Sequence, residues 1–218
     1  MVIRLFLFNL VVSNNSPNSM KRPHIPCLNL PVNTVYCIGR NYAEHAKELG
    51  NQLPTEPLVF LKPNNCIADH PTKVELPGYS EDVQHEIELV IAIKKDGYQI
   101  SSMEAKKFIG AFAVGIDMTA RDIQTADKAK GKPWTKAKCF HQSAVLSEWQ
   151  VYNSQDRSLQ DMELILKVND KVQQQGSTKD MIFDLPSLIQ DLSHRFPLFA
   201  GDIIFPGTPS GVSRLKSH

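Results

Sequence analysis

The sequence is poor in the features that most readily betray a function. Its four cysteines, Cys27, Cys37, Cys66 and Cys139, form no CxxC pair and show no zinc-binding spacing, so they read as reduced thiols of a cytosolic protein. Charge of one sign is missing too. With 24 Lys and Arg against 23 Asp and Glu, the net charge is +1, and no bulk electrostatic case for nucleic acid or a membrane surface can be made. Long apolar runs are absent. Met1 to Val12 is apolar but too short to span a bilayer, and Ser13 to Ser19 offers no small-residue cleavage site. That start reads as a strand, or as residues ahead of a true initiator at Met20. There is no internal repeat and no low-complexity tract. Gly131-Lys132 lacks the further Gly and the Ser/Thr of a phosphate-binding loop. The lysines around it (128, 130, 132, 136 and 138) have one tryptophan, Trp134, and no further aromatics, so a solvated lid accounts for most of them better than a nucleic-acid surface.

What remains is an ordinary globular composition, 42% apolar and 22% charged, in a chain long enough for one sizeable core. Residues 1–32 read as an N-terminal arm or linker, rich in Ser, Asn and Pro from residue 13, and 33–218 as the main domain. Strands are expected at 35–38, 58–62, 85–93, 111–117 and 202–205, with a hairpin at 163–173 turning on Asn169-Asp170. Helices are expected at 42–49 with Asn41 as N-cap, at 101–108, at 119–129 and at 185–193. Strands outnumber helices without alternating with them, which favours a β-rich α+β architecture.

The chain is organised around His85-Glu86-Ile87-Glu88-Leu89-Val90-Ile91-Ala92-Ile93. Read as one strand, it puts Glu86 and Glu88 on the same face, roughly 7 Å apart, at the mouth of a buried segment. Two carboxylates there repel each other and lose hydration unless a cation sits between them; the alternative is the wet face of an edge strand. Asp117 ends another apolar strand, where it is either a third ligand or a cap for the helix that follows. Three oxygen ligands on neighbouring strand ends suit a hard cation, Mg²⁺ or Mn²⁺, with Ca²⁺ as a further candidate. His45 and Glu48, three apart on a helix, share a face. They read either as a general-base dyad or as a surface ion pair. The loop Gly207-Thr208-Pro209-Ser210-Gly211 has a hydroxyl and backbone N–H groups able to hold a carboxylate.

These stretches together resemble the fumarylacetoacetate hydrolase family. The likeness runs in order through Gly39-Arg40-Asn41-Tyr42-Ala43-Glu44-His45, Phe60-Leu61-Lys62-Pro63, His85-Glu86-Ile87-Glu88-Leu89, Asp117-Met118-Thr119-Ala120-Arg121-Asp122-Ile123-Gln124, Gly131-Lys132-Pro133-Trp134, Val168-Asn169 and Gly207-Thr208-Pro209-Ser210-Gly211-Val212. The small single-domain members, of acylpyruvase and oxaloacetate decarboxylase or tautomerase type, are the most similar. The resemblance implies a β-roll with short peripheral helices, usually dimeric, and a Mg²⁺ or Mn²⁺ ion on Glu86, Glu88 and Asp117. It implies a water-activating dyad at His45 and Glu48 and an enolate-stabilising Lys138. Arg40, Arg121, Gln124 and Thr208 become substrate-binding candidates. The expected reaction is metal-dependent C–C hydrolysis of 3-acylpyruvates. Alternatives on the same scaffold are oxaloacetate decarboxylation or tautomerisation and isomerisation or decarboxylation of 2-hydroxy-diene-dioates. Cys139 and His141 stand where the family often has Gly and Asp, and Pro206 where Thr is usual. His218 comes soon after the Gly-Thr-Pro loop, so a C-terminal β segment is expected to be missing, leaving an edge uncovered and, in one reading, an inactive copy.

Overall fold

The computed structural model describes residues 11–12, 22–69, 73–153, 155 and 158–215. In chain order the main elements are β1 (Val35–Gly39), α1 (Ala43–Glu48), β2 (Leu58–Lys62), β3 (Ile67–Asp69), β4 (Val83–His85), β5 (Ile87–Ile93) and β6 (Ile109–Asp117). There follow α2 (Arg121–Ala129), α3 (Thr135–Lys138), β7 (Ala144–Leu146), β8 (Glu163–Val168), β9 (Lys171–Ser177), α4 (Leu185–Arg195), β10 (Ile203–Phe205) and β11 (Ser213–Arg214).

One eight-stranded mixed sheet carries the fold, in the order β2-β1-β10-β5-β6-β7-β3, with Gln150–Val151 also pairing to β6. Its centre is the antiparallel pair β5 and β6, in which Glu88 lies opposite Gly115 and Ile87 opposite Ile116. Both strands are buried along their whole length, as near-continuous apolar runs require. Alternation then divides their side chains between two cores. Ile87, Leu89, Ile91 and Ile93 pack with Phe112, Val114 and Ile116 into the larger core, under α4 and the β8–β9 hairpin. Val90, Ala92 and Ala111 point the other way, towards Ile25, Val35 and Phe205. Helix α4 joins the larger core through Leu185, Leu188, Ile189 and Leu192, an i, i+3, i+4, i+7 stripe started by Asp184, whose side chain accepts from the Ser187 N–H at 2.8 Å. Each of those side chains contributes ~1.5–3 kcal/mol by leaving water.

Several local expectations need correction. The glutamate stretch is two strands, broken at Glu86, because β4 leaves the large sheet and pairs with Thr119–Ala120 on one edge and β11 on the other. The helix after Asp117 begins at Arg121, since Thr119–Ala120 is taken by that small sheet, and Asp117 caps nothing. Asn41 is not the N-cap of α1; Tyr42 holds that place without a side-chain bond. The helix at 101–108 shrinks to Ser102–Ala105. Of the expected arm, residues 22–32 include a small antiparallel pair, His24–Ile25 with Leu30–Pro31, and Ile25 is fully buried in the second core. Residues 1–10 and 13–21, where much of the reading of the start falls, lie outside the described residues.

Candidate active site

The break at Glu86 brings the three acids together. Glu86, Glu88 and Asp117 each offer a carboxylate oxygen within 4.8 Å of the others, and all three are buried. Gly115, opposite Glu88, lets the strands and Phe205 close over this point: a Cβ there would sit 2.6 Å from Phe205 Cε1 and from Val90 Cγ2.

The charges around the triad are unevenly distributed. Lys138 Nζ donates to Glu86 Oε2 at 2.8 Å and to Asp117 Oδ2 at 2.6 Å, and Arg121 donates to Glu86 Oε1. Burial opposes ionisation of Glu86, but Lys138 and Arg121 outweigh it and hold the carboxyl well below the usual carboxylate range. No cation touches Glu88 among the described residues. Its Oε2 accepts only the Gly207 N–H, at 2.6 Å, and burial, with Asp117 and Glu86 adding to it, pushes its carboxyl well above the usual range. On the far side, Lys62 Nζ lies 2.8 Å from Asp117 Oδ1, off the axis of a hydrogen bond, so Oδ1 is a buried oxygen with no hydrogen-bond donor of its own. An orphaned oxygen on Asp117 and an uncompensated Glu88, both hard donors, fit a divalent cation of the Mg²⁺ and Mn²⁺ kind.

Nine of the ten predicted site residues line one cleft, and the tenth, Glu48, stands behind His45. His45 Nδ1 faces Glu48 Oε2 at 3.1 Å, and Glu48 Oε1 accepts the Gly211 N–H at 3.0 Å. The pair is therefore locked to the Gly-Thr-Pro loop rather than loose on the surface. Arg121 donates to Gln124 Oε1 at 2.6 Å and to Gln84 Oε1 at 2.9 Å, which fixes its guanidinium beside Glu86. Thr208 is buried and lines the same cleft.

Three positioning residues escaped the sequence reading. Gln174 on β9 accepts from the Ile87 N–H at 3.0 Å and donates to Thr208 Oγ1 and Pro209 O, each at 2.9 Å, tying the glutamate strand to the loop. Asn41 accepts the Phe183 N–H at 2.7 Å and donates to Phe183 O at 2.9 Å and Pro206 O at 2.8 Å. Only the carbonyl of Pro206 is used, and a Thr would offer the same group. Lys62, fully buried, donates to Ser143 Oγ at 3.1 Å and to the carbonyl oxygen of Lys138, so it clamps the backbone that carries Lys138. A lysine closing an apolar strand before Pro63 was the one available signal.

Comparison with known proteins agrees with this geometry. The family profile described as "Fumarylacetoacetate (FAA) hydrolase C-terminal" matches residues 34–218. The chain belongs to the fumarylacetoacetate hydrolase family. Within it, the mitochondrial oxaloacetate tautomerase FAHD1 of Arabidopsis thaliana is 42% identical over 186 residues, covering 84% of this chain and 81% of that protein. The oxaloacetate tautomerase YcgM of Escherichia coli is 39% identical, covering 87% of each. A fumarylpyruvate hydrolase of Pseudomonas aeruginosa, solved with Mn²⁺ and pyruvate, superposes with a TM-score of 0.80 at 31% identity, over 96% of this chain and 87% of that one. The β-rich fold of short helices around a curved sheet is that of the family, and the family is one of enzymes.

Proposed function

We propose that this protein is a divalent-metal-dependent enzyme acting on 2-oxo acids of the oxaloacetate class through their enol or enolate form. The observation that carries the reading is the buried convergence of Glu86, Glu88 and Asp117; the names of the relatives support the substrate class. Glu86, Glu88 and Asp117 would hold Mg²⁺ or Mn²⁺. When bound, the ion supplies Lewis acidity towards the carboxylate and 2-oxo oxygens. Lys62, Lys138 and Arg121 already offset Glu86 and Asp117, so a divalent ion that also answers Glu88 leaves the site with excess positive charge that a dianionic 2-oxo acid relieves.

Arg121, steadied by Gln124, and Thr208 orient the 2-oxo acid head. The Lys138 ammonium stabilises negative charge as it develops on the enolate oxygen. His45, its Nδ1 held by Glu48, is the base that removes the C3 proton and returns it to oxygen in tautomerisation. If the C3–C4 bond breaks instead, carbon dioxide leaves oxaloacetate, and the pyruvate enolate takes a proton at C3.

The same dyad favours a second reading, hydrolysis of 3-acylpyruvates. His45 would deprotonate a water that attacks the distal carbonyl, releasing a carboxylic acid and pyruvate enolate. Purified protein assayed with and without Mg²⁺ on oxaloacetate and on acetylpyruvate separates the two. Metal-dependent turnover of oxaloacetate alone supports the first reading, loss of acetylpyruvate absorbance supports the second, and no turnover of either refutes both. A homodimer is part of the proposal and is checked by sedimentation velocity. No helix among the described residues is long and apolar enough to cross a membrane. Some relatives are named as mitochondrial, so fractionation against cytosolic and mitochondrial markers tests the proposed cytoplasmic location.

A further inference from the structure

The cleft continues past the triad along an aromatic wall that ends in donors without acceptors. Lys138 Nζ lies 5.0 Å from the Phe60 ring centroid, Phe60 and Trp134 are 5.9 Å apart edge to face, and Lys128 Nζ stands 5.0 Å over the Trp134 ring. Trp134 packs over Gly39, where a Cβ would lie 3.7 Å from Cζ3, so this end of the wall adjoins Arg40. Arg40 is held in the left-handed region, φ 60°, a conformation that costs a non-glycine residue free energy and needs a local cause. Its buried Nε has no hydrogen-bond partner, and neither has the buried Nδ2 of Asn51. Among the described residues the Lys128 ammonium makes no ion pair and no hydrogen bond, and the Trp134 ring is what it faces. All three residues line the same cleft as the triad. Burial, and then the charges of Arg40, Arg121 and Lys138, bring the Lys128 amine down to about 8, with Glu86 pulling weakly the other way.

Unsatisfied buried donors are costly, and so is a lysine held beside Arg40, Arg121 and Lys138 with no acid touching it, unless the working complex supplies an acceptor. We propose that Lys128, with Arg40 and Asn51, forms a subsite for a second carboxylate at the far end of the substrate, making Lys128 the residue that selects dicarboxylic over monocarboxylic 2-oxo acids. This rests on the reading that the head of a 2-oxo acid binds at the triad. A planar chain between the two acid groups packs against Phe60 and Trp134. The head is common to all candidate substrates, whereas the tail is where they differ, so discrimination falls to this end.

The test is calorimetric binding to the Mg²⁺-loaded protein of 2-oxoglutarate and 2-oxovalerate, which share a head and a chain length and differ in the terminal carboxylate. Oxalate serves as a head-only control. The wild type should favour 2-oxoglutarate by about tenfold or more, as a charge-assisted contact implies. Lys128→Gln should remove that preference by weakening 2-oxoglutarate alone, and Lys128→Arg should keep it. Lys128 is half-buried on a helix surface, so these variants are expected to fold. Equal binding of the two acids by the wild type, or equal weakening of both in Lys128→Gln, overturns the subsite while oxalate binding leaves the head site standing. A wild type that ignores oxalate overturns the head site and this proposal with it.

Discussion

Replacing Lys62 with methionine isolates the support beneath the triad. Methionine keeps the unbranched apolar stem but removes a charge 2.8 Å from Asp117 Oδ1, together with donors to Ser143 Oγ and the Lys138 carbonyl. Breaking a buried ion pair from one side costs ~3–5 kcal/mol, because the remaining charge stays desolvated. An orphaned carbonyl adds ~1–3 kcal/mol, but Ser143 Oγ also donates to Lys138 O at 2.9 Å, and Lys138 Nζ still holds Asp117 Oδ2. The net expectation is therefore ~3–5 kcal/mol of lost stability, equivalent to a fall of about 6–20 °C in Tm for a chain of this size. Urea unfolding followed by tryptophan fluorescence, without added metal, measures it. Saturating Mg²⁺ should recover part of the loss, since a cation at the triad restores positive charge beside Asp117. An unfolding free energy unchanged to within about 1 kcal/mol, with the same slope, would show that Asp117 does not lean on Lys62 and that the charge account of the site is wrong.

Other consequences are open to simpler assays. His45→Ala should leave Mn²⁺ binding intact while slowing turnover by ~10² or more, the usual loss for a general base; parallel loss of metal would make His45 structural instead. Asn41→Ala removes the link between the segment after β1 and residues 183 and 206, and should cost about 2–3 kcal/mol in denaturant titration. A lysine whose pKa is depressed loses its charge as pH rises, so kcat/KM for dicarboxylic substrates should fall relative to monocarboxylic ones above about pH 8, where free Lys128 becomes neutral. A ratio flat from pH 7 to 9.5 would count against that assignment.

What the sequence revealed depended on how local each signal was. Glu86, Glu88 and Asp117 were legible because an acid in an apolar strand is an anomaly in its own neighbourhood. His45 and Glu48 were legible as a helical pair, but their role needed the Gly211 N–H, 163 positions away, to show that the pair is anchored. Asn41 looked like a cap because caps are judged from the next few residues; its amide is instead satisfied by residues 183 and 206. Lys62 gave only the faint signal of a lysine closing an apolar strand, and Gln174 gave none, since each acts on residues 34 or more positions away. The single-strand reading of residues 85–93 failed for a related reason. Its hydrophobic pattern is continuous, but the pairing of Val83–His85 belongs to a different sheet.

Everything chemical in this account depends on one cation seated among three carboxylates. Titrating Mn²⁺ into the purified protein by calorimetry, beside Glu88→Ala, puts that claim to the most direct test. One ion per chain for the wild type and none for the variant is the predicted result. Equal binding by both proteins, or none by either, would contradict it.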